Sequence, residues 1–298
     1  MSRVFINGFG RIGRTVLRAW AGGGWPDLQI VGINDIAAPD LCAHLFEYDS
    51  VFGPFAGDVR LGSNALHVNG IAVPMHRTPD ASTLDLTGVD LFLECTGKAD
   101  ARDIAERPLH AGARRVLISG PSDAADVTVV MGANDSALGD QAIVSNASCT
   151  TNALAPLVRL LDDTWGVKTG WMTTIHCYTG SQPTIDAPRG DMMRSRAAAM
   201  SMVPTTTSAM RLLDHVLPDI AGRIEGAAVR VPVASVSAVD LTVTLGRSVT
   251  RDEVIAVLSS PGPIIGCTTK PLVSSDLRAR SESLIVSLPE TRVTAQGL

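Results

Sequence analysis

A chain of 298 residues is long enough for one large domain or two of ordinary size. Apolar residues make up 45% and charged residues 18%, which excludes a chain disordered throughout. A net charge of −5 without blocks of like charge argues against a nucleic-acid surface, so anionic ligands must be held by a few placed arginines and helix ends. The five cysteines are scattered, odd in number and lack C-x-x-C spacing. They read as reduced thiols in a cytoplasmic protein, with no disulfide framework and no metal site. The sequence starts directly in a strand pattern and no apolar run reaches membrane-spanning length, so neither a signal peptide nor a membrane partner is expected.

Along the first half, short apolar runs alternate with helical stretches. Strands are expected at Val4–Asn7, Leu28–Asn34, Asp90–Cys95, Arg115–Ser119, Val127–Gly132 and Gln141–Ser145. Several are continuous apolar runs, as in a sheet covered on both faces, and the alternation predicts an α/β, Rossmann-type doubly wound parallel sheet. The boundary is expected at residue 148, with 1–148 binding a dinucleotide and 149–298 forming a catalytic domain. That second domain reads as a helix over Thr150–Trp165, a strand over Gly170–Tyr178 and a long polar segment over 179–200. A helix near Thr207–Leu217 and strands at Gly226–Pro232 and Ser235–Leu245 follow, giving an α+β domain with a mostly antiparallel sheet. No aromatic residue follows Tyr178, so its core must be packed with Val, Leu, Ile, Ala and Met.

Gly8, Gly10 and Gly13 form G-x-G-x-x-G between a strand and a helix, and Asp35 closes the second strand roughly twenty residues on. Gly8 permits the tight turn, Gly10 the approach of backbone to a pyrophosphate, and Gly13 close packing of helix on sheet. The helix N-terminus offers N–H groups to the diphosphate. Asp35 is placed to accept from ribose hydroxyls and to repel a 2′-phosphate, favouring NAD over NADP.

Cys149 lies where a loop enters a helix, with Ser148 as N-cap and Thr151 and Asn152 in the first turn. A helix N-terminus favours the thiolate that attacks carbonyls. His176 ends an apolar strand and is the candidate base; taken alone, such a histidine is more often structural. Thr179, Arg194, Arg196, Thr207 and Arg230 lie downstream and offer pockets for phosphate groups through charge-assisted bonds.

INGFGRIGR, Asn34-Asp35, ECTG, ISGPS, ADVTVVMGAND, SNASCTTN and TTIHCYTGSQP occur in order along the chain. Together they resemble the phosphorylating glyceraldehyde-3-phosphate dehydrogenase family. The resemblance implies Cys149 as nucleophile and His176 as base, NAD as cofactor, and a sugar phosphate and inorganic phosphate as small-molecule partners. It assigns Thr179 and Arg230 to the substrate phosphate, and Ser148, Thr150, Thr207, Ser208 and Arg196 to the attacking phosphate or its surroundings. Asn7, Arg11 and Ile12 fall in the pyrophosphate turn, Arg77 near the adenine, and Thr96, Gly97 and Ser119 on the nicotinamide side. The segment 179–200 corresponds to a loop that closes a neighbour's cofactor site in homotetramers.

The pattern is departed from at Ser208, where the family usually has Gly, at Met193, which replaces a frequent Arg, and at Ala187-Pro188, which mixes NADP-tolerant and NAD-specific features. Family members continue beyond the position of Leu298 into a strand and a final helix, and the stretch Arg278–Leu298 is short. The expectation is weaker orientation of the nicotinamide. The expected activity is oxidation of glyceraldehyde 3-phosphate to 1,3-bisphosphoglycerate through a Cys149 thioester. Its alternatives are an erythrose-4-phosphate dehydrogenase, against which Tyr178-Thr179 speaks, and a catalytically weak paralogue with a redox-sensing or binding role.

Overall fold

The computed structural model describes residues 1–260 and 262–294. The chain forms two compact units, one of Met1–Val129 with Ser136–Ala147, the other of Val130–Asp135 with Ser148–Leu298.

The first unit runs β1 (Ser2–Asn7), α1 (Arg11–Ala21), β2 (Leu28–Asn34), α2 (Pro39–Glu47), β3 (Val59–Leu61), β4 (Ala65–Val68), β5 (Ile71–His76), β6 (Leu91–Glu94), α3 (Arg102–His110), β7 (Val116–Ile118), β8 (Val127–Thr128) and β9 (Ile143–Ser145). Its nine strands lie in the order β3-β4-β5-β2-β1-β6-β7-β9-β8. All pairings are parallel except β3 with β4 and β4 with β5. Strand order reverses at β1, which lies between β2 and β6, and ligands of doubly wound sheets bind beyond the strand ends at such a point. Side chains of β1 alternate between two cores. Val4 and Ile6 join Leu17, Ile33 and Phe46, whereas Phe5 joins Leu86, Val116 and Ile143 and stacks on Phe92 at 5.6 Å. Full burial of such side chains stabilises by about 1.5–3 kcal/mol each, so β1 is anchored from both faces.

Two features depart from the sequence reading. The strand expected over 127–132 stops at Thr128, because Asn134 Oδ1 accepts the Val130 N–H at 2.8 Å and Val130 O accepts from Ala133, turning the chain into the other unit. The excursion β3–β5 adds a meander whose β4–β5 turn is Asn69-Gly70, both at positive φ, the pairing favoured in tight hairpins.

The second unit runs α4 (Cys149–Trp165), β10 (Val167–Cys177), β11 (Val203–Thr205), α5 (Ala209–Val216), β12 (Ile224–Val231), β13 (Ala238–Leu245), α6 (Arg251–Leu258), β14 (Ile265–Thr268) and β15 (Leu284–Ser287). Its main sheet has the order β11-β12-β10-β13. Both outer pairings are antiparallel, as expected, while the central β10–β12 pairing is parallel, making the sheet mixed. α4 packs on β10 and β13, and α5 packs on α4 and β12. The aliphatic core includes Leu154, Val158, Leu161, Met172, Leu212, Leu213 and Val243, with Trp165 as its aromatic member. Parallel β14 and β15 form a separate pair. The end of the Arg278–Leu298 stretch, residues 295–298, lies outside the described residues. No described helix is long and apolar enough to cross a membrane.

Candidate active site

Cys149 is the first residue of α4, and the Ser148 side chain caps that helix by accepting the Thr151 N–H at 3.1 Å. The Ser148 hydroxyl also pairs with Thr151 Oγ1 at 2.7 Å, and Asn152 Nδ2 donates to Ser148 O at 3.0 Å. Such a cap fixes the entry of the chain and leaves the thiol at the positive end of the helix dipole. Ala147, just before it, is buried and adopts a left-handed φ of 56°, a conformation costing an L-residue about 1–2 kcal/mol. That turn brings the chain sharply out of β9 and exposes Cys149.

His176 stands near the end of β10, and its Nε2 lies 3.2 Å from Cys149 Sγ. Its Nδ1 pairs with the Cys177 carbonyl at 2.6 Å, so that nitrogen carries the proton and donates. Desolvation by crowding protein atoms would raise the Cys149 thiol; the bond and charge of His176 and the bonds from Thr150 outweigh it and hold the thiol below its ordinary value. His176 is raised to about 10 by its bond to Cys149 and its bonds to Cys177, against burial. Both shifts favour the thiolate–imidazolium form of the pair.

Register places His176 opposite Arg230 on β12. Arg230 Nη1 donates to Thr179 Oγ1 at 2.9 Å, while its Nε is buried with no partner. Burial lowers the Arg230 pKa, and the charge of Arg194 lowers it further. Arg194 is held by Thr205 Oγ1 at 2.7 Å and Thr206 Oγ1 at 2.9 Å. Two adjacent guanidinium groups, one with an unpartnered buried N–H, make a setting for a phosphate.

Arg196, expected at a phosphate pocket, instead forms an exposed ion pair with Asp186 at 2.7 Å. Arg194 is the arginine of this segment that comes beside Arg230; in a loop without helix or strand, sequence spacing does not decide which side chain turns inward. Thr207 Oγ1 accepts the Ala209 N–H at 3.1 Å and Ser208 is the N-cap of α5, without a side-chain cap bond. Ser237 was not anticipated: its Oγ accepts the Cys177 N–H at 3.2 Å, next to the base.

In the first unit, Gly8 has φ +89°, and a Cβ there would lie 2.8 Å from Thr96 N; a Cβ on Gly13 would lie 2.1 Å from Gly8 O. Around Gly10 the space is open, and α1 starts there with no side-chain cap and no acidic residue in its first turn. Open space beside an uncapped helix N-terminus suits a diphosphate. Asp35 Oδ2 accepts the Phe9 N–H at 2.6 Å and Oδ1 the Ala37 N–H at 2.8 Å, tying the Gly-rich turn to the end of β2 with lone pairs left for a ribose. Asn7 is buried within the sheet ends, Ile12 is exposed, and Arg11 pairs with Asp49 at 3.0 Å. Arg77 Nε donates to Ile36 O at 2.9 Å, beside Asp35. Thr96 leads into Gly97 after β6, and the Ser119 N–H donates to Glu94 O at 2.9 Å. Among the described residues no cluster of His, Cys, Asp or Glu is arranged to hold a metal.

Residues 2–102 match the family profile "Glyceraldehyde 3-phosphate dehydrogenase, NAD binding domain", and residues 148–298 match "Glyceraldehyde 3-phosphate dehydrogenase, C-terminal domain". The chain is 46% identical to a glyceraldehyde-3-phosphate dehydrogenase of Pseudomonas aeruginosa over 99% of its length and 90% of that protein. It is 44% identical to that of Xanthobacter flavus, over 98% and 89%, and 41% identical to glyceraldehyde-3-phosphate dehydrogenase 1 of Bacillus subtilis, over 98% and 89%. NAD is thus the cofactor of the first unit's fold, and the chain belongs to the glyceraldehyde-3-phosphate dehydrogenase family.

Proposed function

We propose that this protein oxidises glyceraldehyde 3-phosphate with NAD and inorganic phosphate to 1,3-bisphosphoglycerate, in the cytoplasm, with residues 1–148 holding NAD and 149–298 carrying the chemistry. The observation that carries the reading is the Cys149–His176 pair at 3.2 Å, next to the Arg230–Thr179 cluster. The Cys149 thiolate attacks the aldehyde carbon, and the imidazolium of His176 gives its Nε2 proton to the resulting oxyanion. Neutral His176 takes that proton back as the carbonyl re-forms, leaving a thioester on Cys149. Bound NAD supplies the acceptor for the hydride that departs from that carbon. A phosphate oxygen then attacks the thioester, and the sulfur leaves as a thiolate stabilised by the re-protonated base.

Arg230 and Thr179 anchor the substrate's phosphate, and Arg194 with Thr207 and Ser208 serves the attacking one. The cofactor is held by the turn from Gly8 to Gly13, Asp35, Arg77, Thr96, Gly97 and Ser119, with Asn7 buried behind that turn at the end of β1. A homo-oligomer is part of the proposal: Ile185, Met192, Met200 and Met202 are exposed on one segment around 179–202, and exposed apolar patches mark association surfaces.

Mixing enzyme, aldehyde and NAD without phosphate tests this reading. It predicts one equivalent of NADH and an acyl adduct on Cys149 by mass spectrometry; an adduct elsewhere, or none with a burst present, contradicts it.

A further inference from the structure

Asn7, Asn34 and Glu94 stand at the ends of β1, β2 and β6, and register aligns Asn7 with both of the others. All three are buried, so their polar atoms require partners. The bonding starts at the Thr78 backbone, whose N–H donates to Asn34 Oδ1 at 2.9 Å and whose carbonyl accepts from Asn34 Nδ2 at 2.9 Å. That fixes which way the Asn34 amide points. Its Nδ2 also donates to Asn7 Oδ1 at 2.7 Å, which fixes the Asn7 amide in turn. Asn7 Nδ2 then donates to Glu94 Oε2 at 2.6 Å. At the far end, Glu94 Oε1 accepts the Thr96 N–H at 2.8 Å and the Thr96 hydroxyl.

Backbone groups at both ends dictate every direction in this chain of bonds. The side chain at 94 must therefore accept on both of its oxygens. A carboxylate does so. Glutamine cannot, because presenting its oxygen to Thr96 turns its NH₂ onto the NH₂ of Asn7, and no amide flip relieves this without opposing the Thr78 backbone.

The bridged strand ends continue into the Gly8 turn, Asp35 and the Thr96–Gly97 turn, and the Gly8 N–H donates to Asn34 O at 2.8 Å. We propose that Glu94 is a positioning residue of the cofactor cradle: through Asn7, Asn34 and Thr96 it holds three strand ends at the spacing NAD binding requires. The inference rests on the reading of this cradle as the NAD site.

The test compares wild type, Glu94→Gln and the double variant Asn7→Asp/Glu94→Gln. NAD affinity is read by calorimetric titration, Tm by circular dichroism, and Cys149 alkylation by iodoacetamide without NAD. Wild type that binds no NAD overturns the cofactor reading and this proposal with it. With wild-type binding in hand, Glu94→Gln is expected to weaken NAD by about tenfold or more, the effect of a mismatched buried polar pair, while Cys149 alkylation stays within about twofold. In the double variant the new carboxylate at position 7 accepts from both neighbouring amides and the amide oxygen at 94 keeps Thr96, so every donor again meets an acceptor. Affinity is expected to return to within about fivefold of wild type, and this variant carries the test if Glu94→Gln does not fold. Unchanged NAD affinity in Glu94→Gln overturns the proposal, as does a folded double variant without recovered affinity.

Discussion

Cys149 Sγ lies 3.2 Å from His176 Nε2, and each of the two residues favours the charged form of the other. The thiol sits below its ordinary value of 9.0 and the imidazole is raised to about 10. Alkylation of Cys149 is therefore expected to stay fast below the ordinary thiol range and to fall only as pH drops through the depressed thiol pKa. In His176→Ala the lowering bond and charge are gone while desolvation by the crowding protein atoms remains, so the inflection moves upward. Turnover is expected to fall by about 10²–10⁴-fold, the usual worth of a positioned acid–base group. An inflection that stays in place contradicts the pair.

Arg194 and Arg196 are two residues apart but differently engaged. Arg196→Ala removes an exposed pair with Asp186, worth about 0–1 kcal/mol, and is expected to leave kcat/KM within about fivefold. Arg194→Ala removes a guanidinium held by Thr205 and Thr206 beside Arg230. Phosphate saturation should then shift by about tenfold or more, as for loss of a charge-assisted bond. Equal effects of the two substitutions contradict this assignment.

Arg230→Gln removes the guanidinium that donates to Thr179 Oγ1 at 2.9 Å and, with it, a positive charge from the same place. KM for the triose phosphate is expected to rise by about 10–100-fold, with a smaller effect on a non-phosphorylated aldehyde. A KM that rises equally for both substrates shows that Arg230 does not read the phosphate.

Asp35 both ties down the Phe9 N–H and keeps lone pairs for the ribose. Asp35→Asn keeps the size of the side chain but removes the charge that, in the proposed cradle, would repel a 2′-phosphate. The NAD-to-NADP affinity ratio is expected to fall by about tenfold or more, measured by titrating both nucleotides. A ratio that does not move places cofactor discrimination elsewhere.

Met200→Lys places a charge on the segment that also exposes Met192 and Met202. Sedimentation velocity is expected to show a smaller assembly than wild type with an unchanged far-UV spectrum. Wild type that sediments as a monomer contradicts the homo-oligomer.

Much of this was legible in the sequence because the signals are local. β2 spans Leu28–Asn34 as its apolar run indicates, and Gly8, Gly13 and Cys149 stand at strand–helix junctions. Asn69-Gly70 also carried a local hairpin signal, yet the short strands on either side, three to six residues long, were too brief to read as a meander. Val127–Gly132 looked like one strand because its apolar run continues, but the Asn134 side chain intercepts the Val130 N–H and ends it. The choice between Arg194 and Arg196 depends on a loop held by its own bonds, such as Ala198 N–H to Pro183 O. Asn7, Asn34 and Glu94 lie far apart in sequence, and only the strand order brings them together.

The most direct test of the central claim follows NADH absorbance in wild type and Cys149→Ser with glyceraldehyde 3-phosphate and NAD, with and without inorganic phosphate. The account predicts sustained turnover in wild type only when phosphate is present, and none in Cys149→Ser. Equal turnover in the two proteins, or sustained turnover without phosphate, would contradict it.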